Sequence, residues 1–254
     1  IRFLFAGILV TILAIIQKRK FKVEQKSVVA WLLLFAMVNT ALHYLFSYVG
    51  LGYLPSSRST ILDSMNGFFA IILSCIIFED DKFSKFKALG CILGFSGILL
   101  INIEPGQNFF QGISFRGDGM ILLNAMCGAF GGIITRIISK KMDMTVATSL
   151  SMTIGGAFLC VVSAIIGPAA RWTITTESII IMIGLILISA VCFGVYNQLL
   201  AYHPISKIAI FNAFIPILGV IFSSIILGEP MRVKYIIAGC IVALGVYVMN
   251  HFSK

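Results

Sequence analysis

Asp63 is the acid that this sequence sets deepest in an apolar run, within residues 59–78. An ionised carboxylate at the centre of a bilayer costs roughly 2.5–3.5 kcal/mol on insertion scales, so such a residue faces other helices or water rather than lipid. A carboxylate so placed can take a substrate or a proton; the plainer role is pairing with Arg58 or a neighbouring helix. Asn66 lies one helical turn further on and shares its face. Asn39 and His43 stand at i, i+4 in the run 28–50, the first near mid-depth and the second in the outer half. Asn124 falls in the outer half of a later run. Asn212 falls in the inner half of another, four residues before Pro216, while Tyr196, Asn197 and Gln198 close a third. For each amide, an interhelical hydrogen bond worth about 0.6–2 kcal/mol competes with substrate contact. Their spread over both leaflets favours a polar path. Pro216 lacks a backbone donor and would free a carbonyl one turn earlier, making it a kink and a candidate hinge.

Other chemistries have weaker support. His43 has no second histidine in register, and the six cysteines all lie inside apolar runs, without disulfide or zinc spacing. No metal and no cofactor is expected. Gly94-Phe-Ser-Gly97 matches the GxSG of intramembrane serine proteases, but Ser96 would need a histidine from another helix. A channel would need a pore lined by charges or carbonyls, for which one buried acid offers little. The chain has no Walker or dinucleotide motif. The expectation is a protein that is not an enzyme.

These residues must be positioned by membrane helices. The chain is 59% hydrophobic and 11% charged, with a mean hydropathy of +1.03, which leaves too little charge to keep a soluble domain of 254 residues wet. A crossing helix needs about 20 apolar residues, and the sequence offers nine such spans: 1–17, 28–50, 59–78, 87–103, 119–139, 146–167, 178–202, 207–227 and 235–250. Alternating them puts all but Arg2, Arg58, Arg116, Arg171, Arg232 and Lys234 of the 19 basic residues on one side. That side is cytoplasmic by the positive-inside rule, and the C-terminus with it. The net charge of +9 therefore marks loops facing the cytoplasm, not a nucleic-acid partner.

Residues 59–102 and 207–250 are similar to each other. Ser74 falls on Ser224, Glu79 on Glu229, and Gly90-Cys91 on Gly239-Cys240. The chain thus divides into a first repeat, 1–103, a loop, 104–118, and a second repeat, 119–254. The second has five spans and the first four, so one further helix is expected before Ile1, nine spans here out of ten. An odd number of spans per repeat inverts one copy relative to the other.

The stretches IRFLFAGILV, LPSSRSTILDSMNGFFAIILSCIIFED and FIPILGVIFSSIILGEP resemble the second, fourth and ninth helices of EamA-type members of the drug/metabolite transporter superfamily. Two positions depart from symmetry: Asn66 stands where the second copy has Pro216, and Phe78-Glu79 where it has Gly228-Glu229. The resemblance implies an all-α polytopic bundle of two inverted repeats around a central cavity. It also implies a small-molecule substrate, amino-acid-like or drug-like, carried outward without ATP across a bacterial inner membrane. Substrate contacts are expected at Asn39, His43, Asp63, Asn66, Asn124, Tyr196 and Asn212. The partners are the lipid bilayer and the substrate; proton coupling and a homodimer stay open.

Overall fold

In a bilayer every backbone N–H and C=O must be bonded within its own segment, so long apolar runs become helices. In the computed structural model the described residues are 1–21, 26–78, 84–102, 113–166, 175–203, 208, 214–230 and 232–251. Among them the helices are α1 (Arg2–Ile16), α2 (Ser27–Leu51), α3 (Ser56–Ile77), α4 (Lys85–Asn102), α5 (Phe115–Ile138), α6 (Met144–Ile166), α7 (Thr176–Tyr202), α8 (Phe214–Leu227) and α9 (Val233–His251). Five of them, α2, α3, α5, α6 and α7, are long and apolar enough to cross a membrane. On α7 the side chains of Ile180, Ile181, Ile188 and Val191 are exposed, a surface that suits hydrocarbon rather than water. The chain is an all-α polytopic membrane protein.

Contacts divide the chain into two compact units, Ile1–Leu42 with Gly131–Tyr202, and His43–Phe130 with His203–Lys254. In the first, α1 packs along α6. Gly7 lies against Thr153, and Gly156 against the backbone of Phe3 and Leu4, so the two helices run antiparallel with almost no side chain between them. Phe35, Ile134, Ile138, Val146 and Ala147 fill the core beside them.

In the second unit the duplicated segments pack on each other. α4 lies along α9, with Gly97 facing Val242 and Gly245 facing Gly90 and Gly94. α3 lies along α8, with Thr60 beside Gly219. In both pairs the residue order runs in opposite directions, so each helix meets its counterpart antiparallel. Ile61, Met65, Phe68, Ile121, Val220, Ala238 and Val242 form the shared core.

Three local features depart from uniform helix. α3 is interrupted between Ser56–Asp63 and Met65–Ile77. There the Ser64 hydroxyl donates to the Ile61 carbonyl at 2.5 Å, a back-bond that bends helices. α2 contains a π turn, Met37–Leu42, and α5 opens with another, Phe115–Gly119. α3 and α5 each begin a few residues before the 59 and 119 expected, because polar groups cap the added turns. Ser114 Oγ accepts from Gly117 N in α5, and Glu229 caps α3, as described below.

Candidate functional site

Four of the seven expected substrate residues meet in the second unit. Asp63 ends the first segment of α3, at the break made by Ser64. Asn124, on α5, donates from Nδ2 to Asp63 Oδ1 at 2.5 Å. The backbone carbonyl of Asn124 lies 3.0 Å from His43 Nδ1. A carbonyl only accepts, so Nδ1 carries the proton and Nε2 is left as the ring's acceptor. One turn along α3, Asn66 rests on Gly128 of α5; a Cβ there would sit 2.5 Å from Asn66 Nδ2. Gly128 thus makes room for the amide as well as for helix approach.

The donor and acceptor balance of this cluster is uneven. Donating to a carboxylate fixes the orientation of the Asn124 amide, and its Oδ1 is then buried with no hydrogen-bond partner among the described residues. Ser59, one turn before Asp63, is 4% exposed and its Oγ is also without a partner. Buried polar atoms are normally bonded, and an orphan costs about 1–3 kcal/mol. The carboxylate, the orphan amide oxygen and the imidazole nitrogen belong to linked residues, giving a half-buried, acceptor-rich cluster that a donor-bearing molecule or water would satisfy.

The first turn of α3 is held by two carboxylates. Arg58 donates from Nε to Asp118 Oδ1 at 2.8 Å, and its Nη2 lies 2.6 Å from the same oxygen. Asp118 Oδ2 also accepts from Ser114 N at 2.8 Å. The ion partner that Arg58 finds is therefore Asp118, while Asp63 bonds Asn124. Glu229 accepts from Ser56 N at 2.7 Å, Ser57 N at 3.0 Å and Ser57 Oγ at 2.6 Å. Burial pushes the Glu229 carboxyl up, but the bonds from Ser57 and Ser56 together outweigh it and hold it below the usual carboxylate range. The turn that aims it is Gly228, at φ +65, a left-handed position that glycine adopts without penalty. In the first copy Phe78 occupies that place with extended backbone, φ −111 and ψ 121; Glu79 lies outside the described residues.

The remaining expected residues divide as follows. Asn39 sits in the π turn of α2 in the first unit, its Nδ2 buried without a partner and its side chain against Gly131. In the same turn Thr40 Oγ1 is 3.2 Å from Ser151 Oγ. Tyr196 is 37% exposed on α7. Its neighbours serve helix packing: Asn197 Nδ2 donates to Thr148 Oγ1 at 3.1 Å and Gln198 Nε2 to Thr145 Oγ1 at 2.6 Å. Pro216 is buried at the third position of α8. The carbonyl it would free belongs to Asn212, which lies outside the described residues, as does any kink there. Ser96 Oγ donates to Leu93 O of its own helix at 2.7 Å.

Sequence reasoning missed Ser59 and Asp118; it read Glu229 as capping a turn, but not that the helix it caps is α3. The available signal was a pair of opposite charges, Arg58 and Asp118, at the mouths of two spans on the same side.

The architecture is that of a polytopic helical membrane protein with a polar cluster between its helices. The EamA-like transporter family matches residues 1–103 and 115–251, and the chain belongs to that family. It is 26% identical over 258 residues to the uncharacterized transporter YvbV of Bacillus subtilis, covering 100% of this chain and 82% of that one. It is 24% identical over 258 residues to a chloroplastic WAT1-related protein of Arabidopsis thaliana, covering 98% of this chain and 61% of the relative. A protein of known crystal structure superposes with a TM-score of 0.73 over 99% of this chain and 85% of its own, at 11% identity; that likeness concerns the fold alone. The chain is a membrane transporter.

Proposed function

We propose that the chain is a secondary transporter that moves a small metabolite, amino-acid-like or drug-like, outward across a bacterial inner membrane by alternating access between two inverted repeats. The antiparallel packing of α3 on α8 and of α4 on α9 supports the inverted arrangement. The observation that carries the substrate site is the Asp63–Asn124 bond with the orphan oxygen of Asn124 beside it. A site so rich in acceptors selects a substrate by a hydrogen-bond donor, such as an ammonium or amide group, and His43 and Asn66 add polar surface. Asn39, Tyr196 and Asn212 are proposed as further substrate contacts, with Pro216 as a hinge. The excess of Lys and Arg on one side supports a cytoplasmic C-terminus.

A metabolite export and resistance screen in cells names the substrate, and purified protein in liposomes then tests the site. Asp63→Asn keeps size and one acceptor but removes the charge. Losing a charged hydrogen bond of about 1.5–3 kcal/mol corresponds to a fall of at least about tenfold in transport. Asp63→Glu retains part of the activity. Wild-type rates in Asp63→Asn would remove the carboxylate from the site. Rates for the two proteins compared across pH decide proton coupling. Non-saturable, conductive flux would favour a channel instead.

A further inference from the structure

A second polar feature lies in the first unit. A cleft of about 720 Å³ opens there, lined by Lys18, Arg19, Lys20, Lys141, Asp143 and Tyr202, among others. The local backbone explains why these cations gather. α1 ends at Ile16, and Lys18 adopts φ +53, so the chain turns back on itself with Lys18 N bonded to Ile15 O and Arg19 N to Ala14 O. The turn places three successive cations at the negative end of the α1 dipole.

The acid in the cleft is already committed. Asp143 Oδ1 caps α6, accepting from Thr145 N at 2.8 Å and Val146 N at 3.3 Å. Its Oδ2 lies 3.3 Å from Arg19 Nη1. Among the described residues, Lys18 and Lys20 have no acidic partner. Lys141 has only an aromatic one, its Nζ lying 5.6 Å from the centre of the Trp31 ring.

Apolar surface borders this charge. Ile15, Ile16 and Tyr202 are 60%, 69% and 76% exposed, and Trp is a residue that membrane–water interfaces favour. Cations flanked by exposed apolar side chains match a lipid at the headgroup boundary better than a free metabolite, for which an enclosed pocket would be expected.

We propose that this cleft is a binding site for the headgroup phosphate of an anionic phospholipid of the cytoplasmic leaflet, with Lys18, Lys20 and Lys141 as its ligands and the acyl chains along the exposed side of α1. Nothing in it depends on the Asp63 site. The test uses the full chain reconstituted in vesicles of equal parts phosphatidylglycerol and phosphatidylcholine. After mild extraction, the retained lipid is counted by mass spectrometry. Phosphatidylglycerol is expected to be enriched over phosphatidylcholine in the wild type. The triple variant Lys18→Gln, Lys20→Gln, Lys141→Gln is expected to lower that preference by about tenfold or more. The triple Arg variant at the same positions should restore it, which separates loss of charge from loss of fold. Lys85→Gln, on α4, should leave it unchanged. Equal retention of both lipids by the wild type, or an unchanged preference in the triple Gln variant, would overturn the proposal. So would saturable binding of inorganic phosphate to the detergent-purified protein with no preference between lipids, which would assign the cleft to a soluble anion.

Discussion

Glu229 offers a perturbation whose size can be worked from the structure. It follows α8 yet caps α3, with three donors within 3.0 Å: two backbone amides of the first turn and the Ser57 hydroxyl. Glu229→Ala strips the cap. Because Glu229 is only half-buried, water can re-solvate part of what is exposed, so the cost should resemble that of losing a helix N-cap, about 1–2 kcal/mol. For a chain of this size that amounts to about 2–8 °C in apparent melting temperature, read at one scan rate in detergent because unfolding is irreversible. Glu229→Gln, which keeps one acceptor, should lose about half as much. The pH dependence has a definite sign. A carboxyl held below its ordinary range in the fold contributes stability above the unfolded pKa and loses it as pH falls through the lower, folded value. The gap between wild type and Glu229→Gln should therefore be constant near neutrality and close on acidification below about pH 4. Combining Glu229→Ala with Ser57→Ala should cost less than the two separately, since they share a bond. A shift within about 1 °C for Glu229→Ala, or strict additivity with Ser57→Ala, would refute the cap.

Arg58→Gln leaves Asp118, 5% exposed at its side chain, without its ion partner; a loss of about 3–5 kcal/mol is expected, seen as reduced folded yield in the membrane and recovered in part by adding Asp118→Asn. Gly245→Val drives a side chain onto the Gly90 carbonyl and Gly94 nitrogen, 2.8 and 3.0 Å from the new Cβ, and should destabilise by about 1–3 kcal/mol in the same melting assay. Gly128→Ala meets only the flexible end of Asn66; it should melt like wild type within about 1 °C while lowering liposome transport. For topology, a reporter fused after Lys254 should be active only in the cytoplasm and one inserted near Gln111 only outside; the opposite pattern would reverse every assignment of depth.

Much of the architecture could be read from the sequence because a bilayer imposes its rules residue by residue. The apolar runs became helices, and the acid and amides within them were visible as exceptions. What could not be read was who meets whom. Asp63 and Asn124 are 61 residues apart, with the whole of α4 between them, and nothing local says that Asn124, rather than Arg58, is the residue that bonds the acid. Glu229 looked like the end of one helix, but its carboxylate serves the start of another. Hydroxyls were the least legible: Thr145 and Thr148 take up Gln198 and Asn197, whereas Ser59 is left bare, and the sequence treats all three alike. The two π turns fall in ordinary-looking sequence, since an extra residue in a turn leaves the composition unchanged.

Where Gly245 rides on Gly90 and Gly94, backbone faces backbone, with only the Leu93 Cβ close beside it, while further along the seam Val242 reaches over Gly97. Helices joined through interdigitated ridges resist both separation and slippage, because each knob must climb out of its hole. A smooth seam resists only the first. Close approach keeps the dispersion contact strong while leaving little to climb when one helix shifts along the other. At the Gly245 crossing α4 and α9 thus meet as a bearing rather than a latch, and Val242 seated over Gly97 is the knob that fixes their register. In such an assembly the glycines set the friction, and adding even one methyl group to the seam would brake it.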